Sequence, residues 1–414
     1  MKDTIAGKEK IAIAQSEMIG IQNLLRQYSH TKPLDDIAIL VCVTPTPQTG
    51  VLLLALQSLG AKIAACSDNA YAADDDVVAY VKSQGIAIFA KSNMTHDEYH
   101  EAMENAVQSI DSDLQLQIID DGCDITQYLA ENHPQVLKRA RVVSEQTTCG
   151  VNFLKTLHKA NQLPIPAINI NNSYTKKWFD NYLGIRQSLI HGLASVGLSV
   201  SGKKISIFGY GPVGKGAAVA LRAHGAHVSI VEKDITLLMQ AELEGFTPIS
   251  VKEALSESQI CISATGCIDT ISADDIQSYA HDGLILGNIG HGNREFDISY
   301  LKKKAKMRRI GTHLDGYRLQ DGREIIAMCD GALVNFLAGG GNSSVFMSLT
   351  FTLTLLAHIY VAEGRIGSLA PGVYDIFSGL EKTSVELNYP HLMKKISVLT
   401  PEQESYLHEG QVDI

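Results

Sequence analysis

The sequence predicts an α/β protein with two doubly wound parallel sheets. Three observations carry that reading. Short β-branched runs alternate with longer amphipathic stretches from Ile37, and the same rhythm restarts at Lys203. A length of 414 residues, 45% of them hydrophobic, exceeds one ordinary domain and suits two. In order, 37–43 reads as a buried parallel strand and 49–59 repeats leucine and alanine at helical spacing. A turn and second strand follow at 60–66, then a helix at 74–84 that opens on Asp74, Asp75 and Asp76, where caps and first-turn acids are favoured. Residues 85–90 begin the next cycle, and 171–201 is mostly helical. Further strands are expected at 205–208, 227–231, 259–263 and 283–288, the number needed for a pair of mononucleotide-binding halves.

Composition narrows the partner. With 45 acidic against 35 basic residues the net charge is −10, which disfavours broad nucleic-acid or anionic-membrane binding and points to a small molecule. The seven cysteines, Cys42, Cys66, Cys123, Cys149, Cys261, Cys267 and Cys329, form no CxxC pair and no zinc spacing, as expected of reduced cytosolic thiols and no metal site. Residues 1–10 carry Lys2, Lys8, Glu9 and Lys10 without an apolar core, unlike a secretory signal, so a cytoplasmic location is expected. The glycosylation pattern at Asn171-Asn172-Ser173 is then idle. The apolar stretch 345–362 is broken by Ser348, Thr350, Thr352, Thr354 and His358 and reads as a buried helix, not a membrane span. The basic block 302–309 reads as a solvated helix end, because it lacks interleaved aromatics.

A hydrophobic run from Lys204 enters Gly209-Tyr210-Gly211-Pro212-Val213-Gly214 and then an alanine-rich helix. Gly209 permits the tight turn, Gly211 lets the backbone approach a pyrophosphate, and Gly214 lets helix and strand pack closely. The next strand ends in Glu232, at the separation expected of a ribose-binding acid. An acid there repels a 2′-phosphate, so the pattern predicts a Rossmann unit for NAD, not NADP.

Several longer stretches carry a more specific signal: 119–124, 144–150, 166–181, the glycine motif, Gly287-Asn288-Ile289-Gly290-His291 and Leu333-Val334-Asn335. Together, and in one order from about residue 5 to about 407, they resemble the S-adenosyl-L-homocysteine hydrolase family. The resemblance implies a Rossmann NAD-binding domain (187–340) inserted in a nucleoside-binding domain (1–182 and 344–390). It also implies a C-terminal extension (391–414), in which this chain lacks the family's basic, tyrosine-bearing tail, and a homo-oligomer, dimer or tetramer. Tightly held NAD would oxidise the ribose 3′-hydroxyl, the 4′ hydrogen would become acidic, the 5′ thiolate would leave, water would add, and the ketone would be reduced again. Lys176 matches the lysine that assists loss of the 3′-hydroxyl proton, and Asp180, one helical turn on, the carboxylate that holds the ribose hydroxyls. Asn171 and Asn181 match polar residues that position them, Asp121 the acid near the 4′ and 5′ positions, and His291 the histidine between nicotinamide and substrate. Thr147, Thr148, Asn181, Asn288 and Asn335 match cofactor contacts.

Departures from the family pattern cluster in the nucleoside site. Within Val43-Thr44-Pro45-Thr46-Pro47-Gln48, Thr44 stands where the family has a 5′-side histidine and Gln48 where it has an adenine-reading glutamate, with Thr46 between them. Gln146 replaces a ribose-contacting glutamate and Asn342 a histidine at the cofactor and adenine gate, whereas Met347, against the base, is kept. Threonine cannot shuttle a proton near neutral pH as imidazole can. Groups aimed at the 3′ carbon and NAD thus survive better than groups aimed at the 5′ leaving group and the base. The expected function is NAD-dependent 3′-oxidation of a nucleoside with reversible thioether hydrolysis of S-adenosylhomocysteine or an analogue. The alternatives are an epimerase or eliminase on another nucleoside or sugar, and a regulatory pseudoenzyme that binds NAD.

Overall fold

The computed structural model describes residues 3–367 and 369–409, so the last residues of the expected C-terminal extension lie outside the described chain. The first six strands are β1 Ile37–Cys42, β2 Lys62–Cys66, β3 Ala87–Phe89, β4 Gln115–Asp120, β5 Ala140–Glu145 and β6 Pro166–Asn169. The next eight are β7 Lys204–Phe208, β8 His227–Val231, β9 Thr247–Pro248, β10 Ile260–Ser263, β11 Ile285–Asn288, β12 Lys306–Gly311, β13 Leu314–Arg318 and β14 Glu324–Met328; β15 is Gly372–Asp375. One sheet has the order β15-β6-β5-β4-β1-β2-β3 and is parallel throughout. Its interior strand β1 is Ile-Ala-Ile-Leu-Val-Cys and every residue is buried, as befits a strand covered on both faces. The second sheet has the order β12-β13-β14-β11-β10-β7-β8-β9.

That second sheet is mixed, not purely parallel, because β13 runs antiparallel to both β12 and β14. The basic block at 302–309 explains part of the difference. Its first half ends the helix Ile298–Lys304 as expected, but its second half is the exposed edge strand β12. There Arg308 pairs with Glu324 at 2.7 Å, and the row of cations blunts an otherwise open strand edge.

Order reverses between β4 and β1 in the first sheet and between β7 and β10 in the second. Both reversals open crevices at the carboxyl ends of the strands, where ligands bind in such sheets. The segment after β6 is helical as expected, yet its first part, Lys176–Gly184, is a π-helix that passes directly into the α-helix Ile185–Ser195. π-Turns of this kind are concentrated at functional sites.

The helix Ser344–Ala362 is long and apolar enough to cross a membrane, and 67% of its apolar window is buried inside the protein. Of its polar residues, Ser348, Thr350 and His358 are tied to other elements, whereas Thr354 donates back to Thr350 O within the helix and the Thr352 hydroxyl has no partner among the described residues. Ser348 donates to Asn388 Oδ1 at 2.6 Å and Thr350 to Asp180 Oδ2 at 2.7 Å. His358 lies between Gln117 Oε1, 2.6 Å from Nδ1, and Ser144 Oγ, 2.9 Å from Nε2. An amide oxygen can only accept, so Nδ1 carries the proton and Ser144 donates to Nε2, which satisfies a neutral ring. Burial pushes the His358 pKa down to about 3 from the usual 6.5. Between those values the unfolded chain binds the extra proton, so stability is lost as pH falls below 6.5. The loss from this residue should be about 2 kcal/mol between pH 6.5 and 5. Urea unfolding of His358→Gln beside the parent protein should give a shallower dependence on pH over that interval; equal slopes would refute the assignment.

Candidate active site

The crevice of the first sheet is built from the loops after β1, β2, β4 and β5. Thr44 follows β1, buried, and its hydroxyl donates to Asp68 Oδ1, after β2, at 2.7 Å. Thr46 caps the helix Pro47–Ser58, accepting from Thr49 N at 3.2 Å, and Gln48 Nε2 donates to Ser344 Oγ at 3.2 Å. Met347 packs on the apolar cluster beneath. After β4 comes Asp121, whose pKa burial raises while the charges of Lys176 and His291 pull it back.

Glu145, at the end of β5, organises this wall. Its Oε1 accepts from Gly122 N, Gln146 N, Thr147 N and the Thr147 hydroxyl at 2.7–3.0 Å, and Oε2 accepts from Cys123 N at 2.8 Å. Burial and the neighbouring Asp120 and Asp121 raise its pKa against those donors, and burial lifts that of Asp120 to about 7. Thr147, expected to contact cofactor, has its hydroxyl engaged in this loop, where it also accepts from Gly150 N at 3.1 Å. Gln146 is buried, and its Nε2 has no hydrogen-bond partner among the described residues.

The π-helix supplies the centre. Lys176 Nζ donates to Asp180 Oδ2 in an ion pair whose lysine side chain is 12% exposed and whose carboxylate is 1% exposed. Asp180 also accepts from Asn342 Nδ2 and from the Thr350 hydroxyl, both at 2.7 Å. Burial alone would raise its pKa, but the Lys176 ammonium and these donors hold it below the usual carboxylate range. Asn342 Oδ1 accepts from Ser188 at 2.9 Å, so this side chain braces Asp180 with all its polar atoms engaged. A chain of amides runs alongside: Asn181 Nδ2 donates to Asn171 Oδ1 at 3.5 Å and Asn171 Nδ2 to Thr148 Oγ1 at 3.1 Å.

The crevice of the second sheet lies opposite. Gly209 has φ +96, and a Cβ on Gly214 would fall 1.9 Å from Gly209 O, so helix and turn pack as the motif requires. Beside Gly211 there is open space where a Cβ would sit, room for a pyrophosphate to meet the helix that begins at Pro212 and Val213. Glu232 Oε2 accepts from Tyr210 N at 2.7 Å and holds the acid beside the glycine turn. Asn335 is buried with Oδ1 unpartnered among the described residues, a free acceptor suited to a carboxamide N–H. Asn288 does not face outward: its amide donates to Gly292 O and Gly331 O and accepts from Gly290 N, shaping the loop that carries His291. The same loop hangs on Glu295, which accepts from His291 N at 2.8 Å and from Thr265 N and Gly266 N after β10.

The two crevices face each other. A Cβ on Gly122 would come 3.0 Å from His291 Cε1, and Asn293 Nδ2 donates to Tyr71 Oη across the gap at 3.1 Å. Asp121, Lys176, Asp180 and His291 are therefore gathered at one place. Sequence reasoning missed Asp68, Glu145, Glu295, Ser188 and Thr350. The one available signal was steric. Gly150 and Gly290 each press on a glutamate so closely that a Cβ would fall 2.3 Å from Glu145 Cδ or 1.8 Å from Glu295 Oε1.

Comparison with solved structures finds partial similarity. The TT0316 protein from Thermus thermophilus shares 13% identity at a TM-score of 0.45, over 81% of this chain and 99% of that one. A dipicolinate synthase chain from Bacillus halodurans shares 12% at 0.42, over 66% and 88%. Comparison with family models is more informative. Residues 1–135 match the model for S-adenosyl-L-homocysteine hydrolase, and residues 181–341 the model for S-adenosyl-L-homocysteine hydrolase, NAD binding domain. The glycine turn, Glu232 and the free Asn335 acceptor fit NAD, which is the cofactor. With both halves matched in order and their crevices opposed, the chain belongs to the S-adenosyl-L-homocysteine hydrolase family.

Proposed function

We propose that this enzyme oxidises the 3′-hydroxyl of a bound nucleoside and uses the acidity so created to cleave a thioether at C5′, with S-adenosylhomocysteine or a close analogue as substrate. The observation that carries this reading is the buried Lys176–Asp180 pair facing Asp121 and His291, because a module that only bound nucleotide would have no use for it. NAD, when bound, supplies the hydride acceptor for the 3′ carbon. Lys176, once its ammonium has released a proton to solvent, takes the proton of the 3′-hydroxyl as a neutral amine and becomes the ammonium again, and Asp180, ionised, holds the ribose hydroxyls in line. Asp121 takes the proton from C4′, its carboxylate favoured by the Lys176 and His291 charges. His291 closes the site from the cofactor side. Gln146 offers its unpartnered N–H to a substrate oxygen where the family carries an acceptor-only glutamate. In this reading 1–182 and 344–390 hold the nucleoside, 187–340 holds NAD, and the protein works as a homo-oligomer in the cytoplasm.

A second outcome of the same oxidation, epimerisation or elimination on another nucleoside or sugar, is favoured by the changed amides at Gln48 and Gln146. Mass spectrometry of products from a small nucleoside panel separates the two. Adenosine and homocysteine from S-adenosylhomocysteine are expected. Exchange of the 4′ hydrogen with solvent in another compound, without thiol release, would favour the second outcome, and no change in any compound would refute both.

A further inference from the structure

We propose that Thr44 and Asp68 form a proton-transfer pair on the 5′ side of the substrate, with Thr44 touching the leaving sulfur and Asp68 acting through it as the positioning partner that stores the proton. The inference rests on the 3′-oxidation reading above. It starts from register. Strands β1 and β2 pair in parallel with Cys42 opposite Cys66, and Val43 N continues the ladder to Cys66 O at 3.3 Å. Thr44 and Asp68 therefore leave the sheet side by side, Thr44 from the strand next to the one that delivers Asp121, since Cys42 is also opposite Asp120, and Asp68 from the strand beyond it. The Thr44 hydroxyl donates to Asp68 Oδ1 at 2.7 Å.

Both sides of this contact are fixed. Thr44 O accepts from the Thr49 hydroxyl at 2.7 Å, and the turn carrying Asp68 is closed by Ser67, whose hydroxyl donates to Asn69 O at 2.7 Å and accepts from Asn69 N at 3.1 Å. Three carboxyl groups meet at this end of the sheet, Asp68, Asp121 and Asp124, together with Tyr99 and His291. Asp124 is engaged by the Tyr99 hydroxyl at 2.8 Å and heads the helix Asp124–Asn132. Asp121 lies in the field of Lys176 and His291, whereas Asp68 has, among the described residues, the Thr44 hydroxyl as its one hydrogen-bond partner. Neighbouring carboxyl groups withdrawn from water cannot all ionise, so a proton is retained, and it is retained where the cations act least. The Lys176 and His291 charges are the strongest influences on Asp121 after burial, whereas on Asp68 His291 is the weakest of the influences and the Thr44 hydroxyl the stronger restraint. Burial and the Asp121 charge raise the Asp68 pKa well above the usual range. Asp121 is thereby left to act as base and Asp68 as acid.

The step balances. Asp121 takes the C4′ proton, the C4′–H pair becomes the C4′=C5′ bond, and the C5′–S bond breaks with its electron pair on sulfur. With Asp68 protonated the contact reverses, the carboxyl O–H donating to Thr44 Oγ1 and the Thr44 hydroxyl proton turning to sulfur. Sulfur receives that proton, and Asp68 replaces it and becomes a carboxylate, to which Thr44 donates as in the contact described above. When water adds, its oxygen bonds to C5′, its proton returns through Thr44 to Asp68, and the proton on Asp121 goes back to C4′. A histidine is then not needed where Thr44 stands.

The test compares two rates in the holoenzyme with S-adenosylhomocysteine: exchange of the 4′ hydrogen into deuterated water, which precedes C–S cleavage, and thiol release. Asp68→Asn and Thr44→Val should lower release by about 10²-fold or more, far beyond any effect on exchange. Thr44→Ser, which keeps the hydroxyl, should recover most of the release. In the parent protein, release should fall as pH rises and Asp68 loses its proton, and Asp68→Asn should lack that limb. The inference is overturned if Asp68→Asn releases thiol at the parent rate, or if exchange and release fall together. If the parent exchanges but never releases thiol, the pair is refuted and 3′-oxidation stands. If the parent does neither, both fall.

Discussion

Lys176→Arg is expected to lower 3′-oxidation by about 10²- to 10⁴-fold while the protein stays folded. The choice of arginine follows from what surrounds the lysine. Asp180 is buried and accepts from Lys176, Asn342 and Thr350. Removing the ammonium, as in Lys176→Ala, leaves a carboxylate out of water with its charge uncompensated, which costs about 3–5 kcal/mol and confuses lost chemistry with lost structure. A guanidinium keeps the charge and can still pair with Asp180, but it does not give up a proton in the working range, so it cannot receive one from the 3′-hydroxyl. Single-turnover absorbance of the reduced cofactor reads the chemistry, and thermal unfolding reads the fold. Parent-like turnover with arginine would remove Lys176 from the proton path. A large drop in unfolding temperature would instead mean that the π-helix cannot house the longer fork.

How much of this could be read from residues alone depends on whether the cause is local. Strand β8 coincides with the expected 227–231 because an apolar β-branched run bounded by turn residues is a local signal, and the same holds for β1 and β7 within a residue or two. The glycine turn was equally legible, since Gly209 and Gly214 answer to contacts five residues apart. The antiparallel edge was not. Strand β12 is Lys-Met-Arg-Arg-Ile-Gly, a basic run with no apolar alternation, and it becomes a strand only because β13 offers it a partner. Nor was Asp68, which lies in an ordinary Ser-Asp-Asn turn and reaches Thr44, 24 residues away, only through parallel register. Lys176 and Asp180 were expected to share one turn of helix, and they do pair, but in a π-helix whose wider turn no propensity scale encodes.

The second large effect concerns a residue that touches no ligand in the proposed reaction. Glu145→Ala is expected to prevent accumulation of folded protein, and Glu145→Gln to destabilise it by about 1–3 kcal/mol. In the parent, one carboxylate answers five donors, four on Oε1 and Cys123 N on Oε2. Alanine leaves four of them facing a dry cavity, Gly122 N keeping the Thr147 hydroxyl oxygen at 3.1 Å, and at about 1–3 kcal/mol for each unmet donor the loss is comparable with the whole stability of an ordinary domain. Glutamine can keep its oxygen toward the four and turn its NH₂ toward Cys123 N, so a single donor meets a donor. That one contact falls between Gly122 and the helix led by Asp124, where Asp121 is aimed. Exchange at C4′ should therefore drop in Glu145→Gln even at temperatures where it remains folded, whereas binding of NAD, on the opposite crevice, should be little changed. Urea unfolding and cofactor titration measure the two arms. Stability equal to the parent would show that the loop does not hang on this carboxylate. NAD affinity falling in step with exchange would show that the defect spreads through the fold and is not confined to the Asp121 turn.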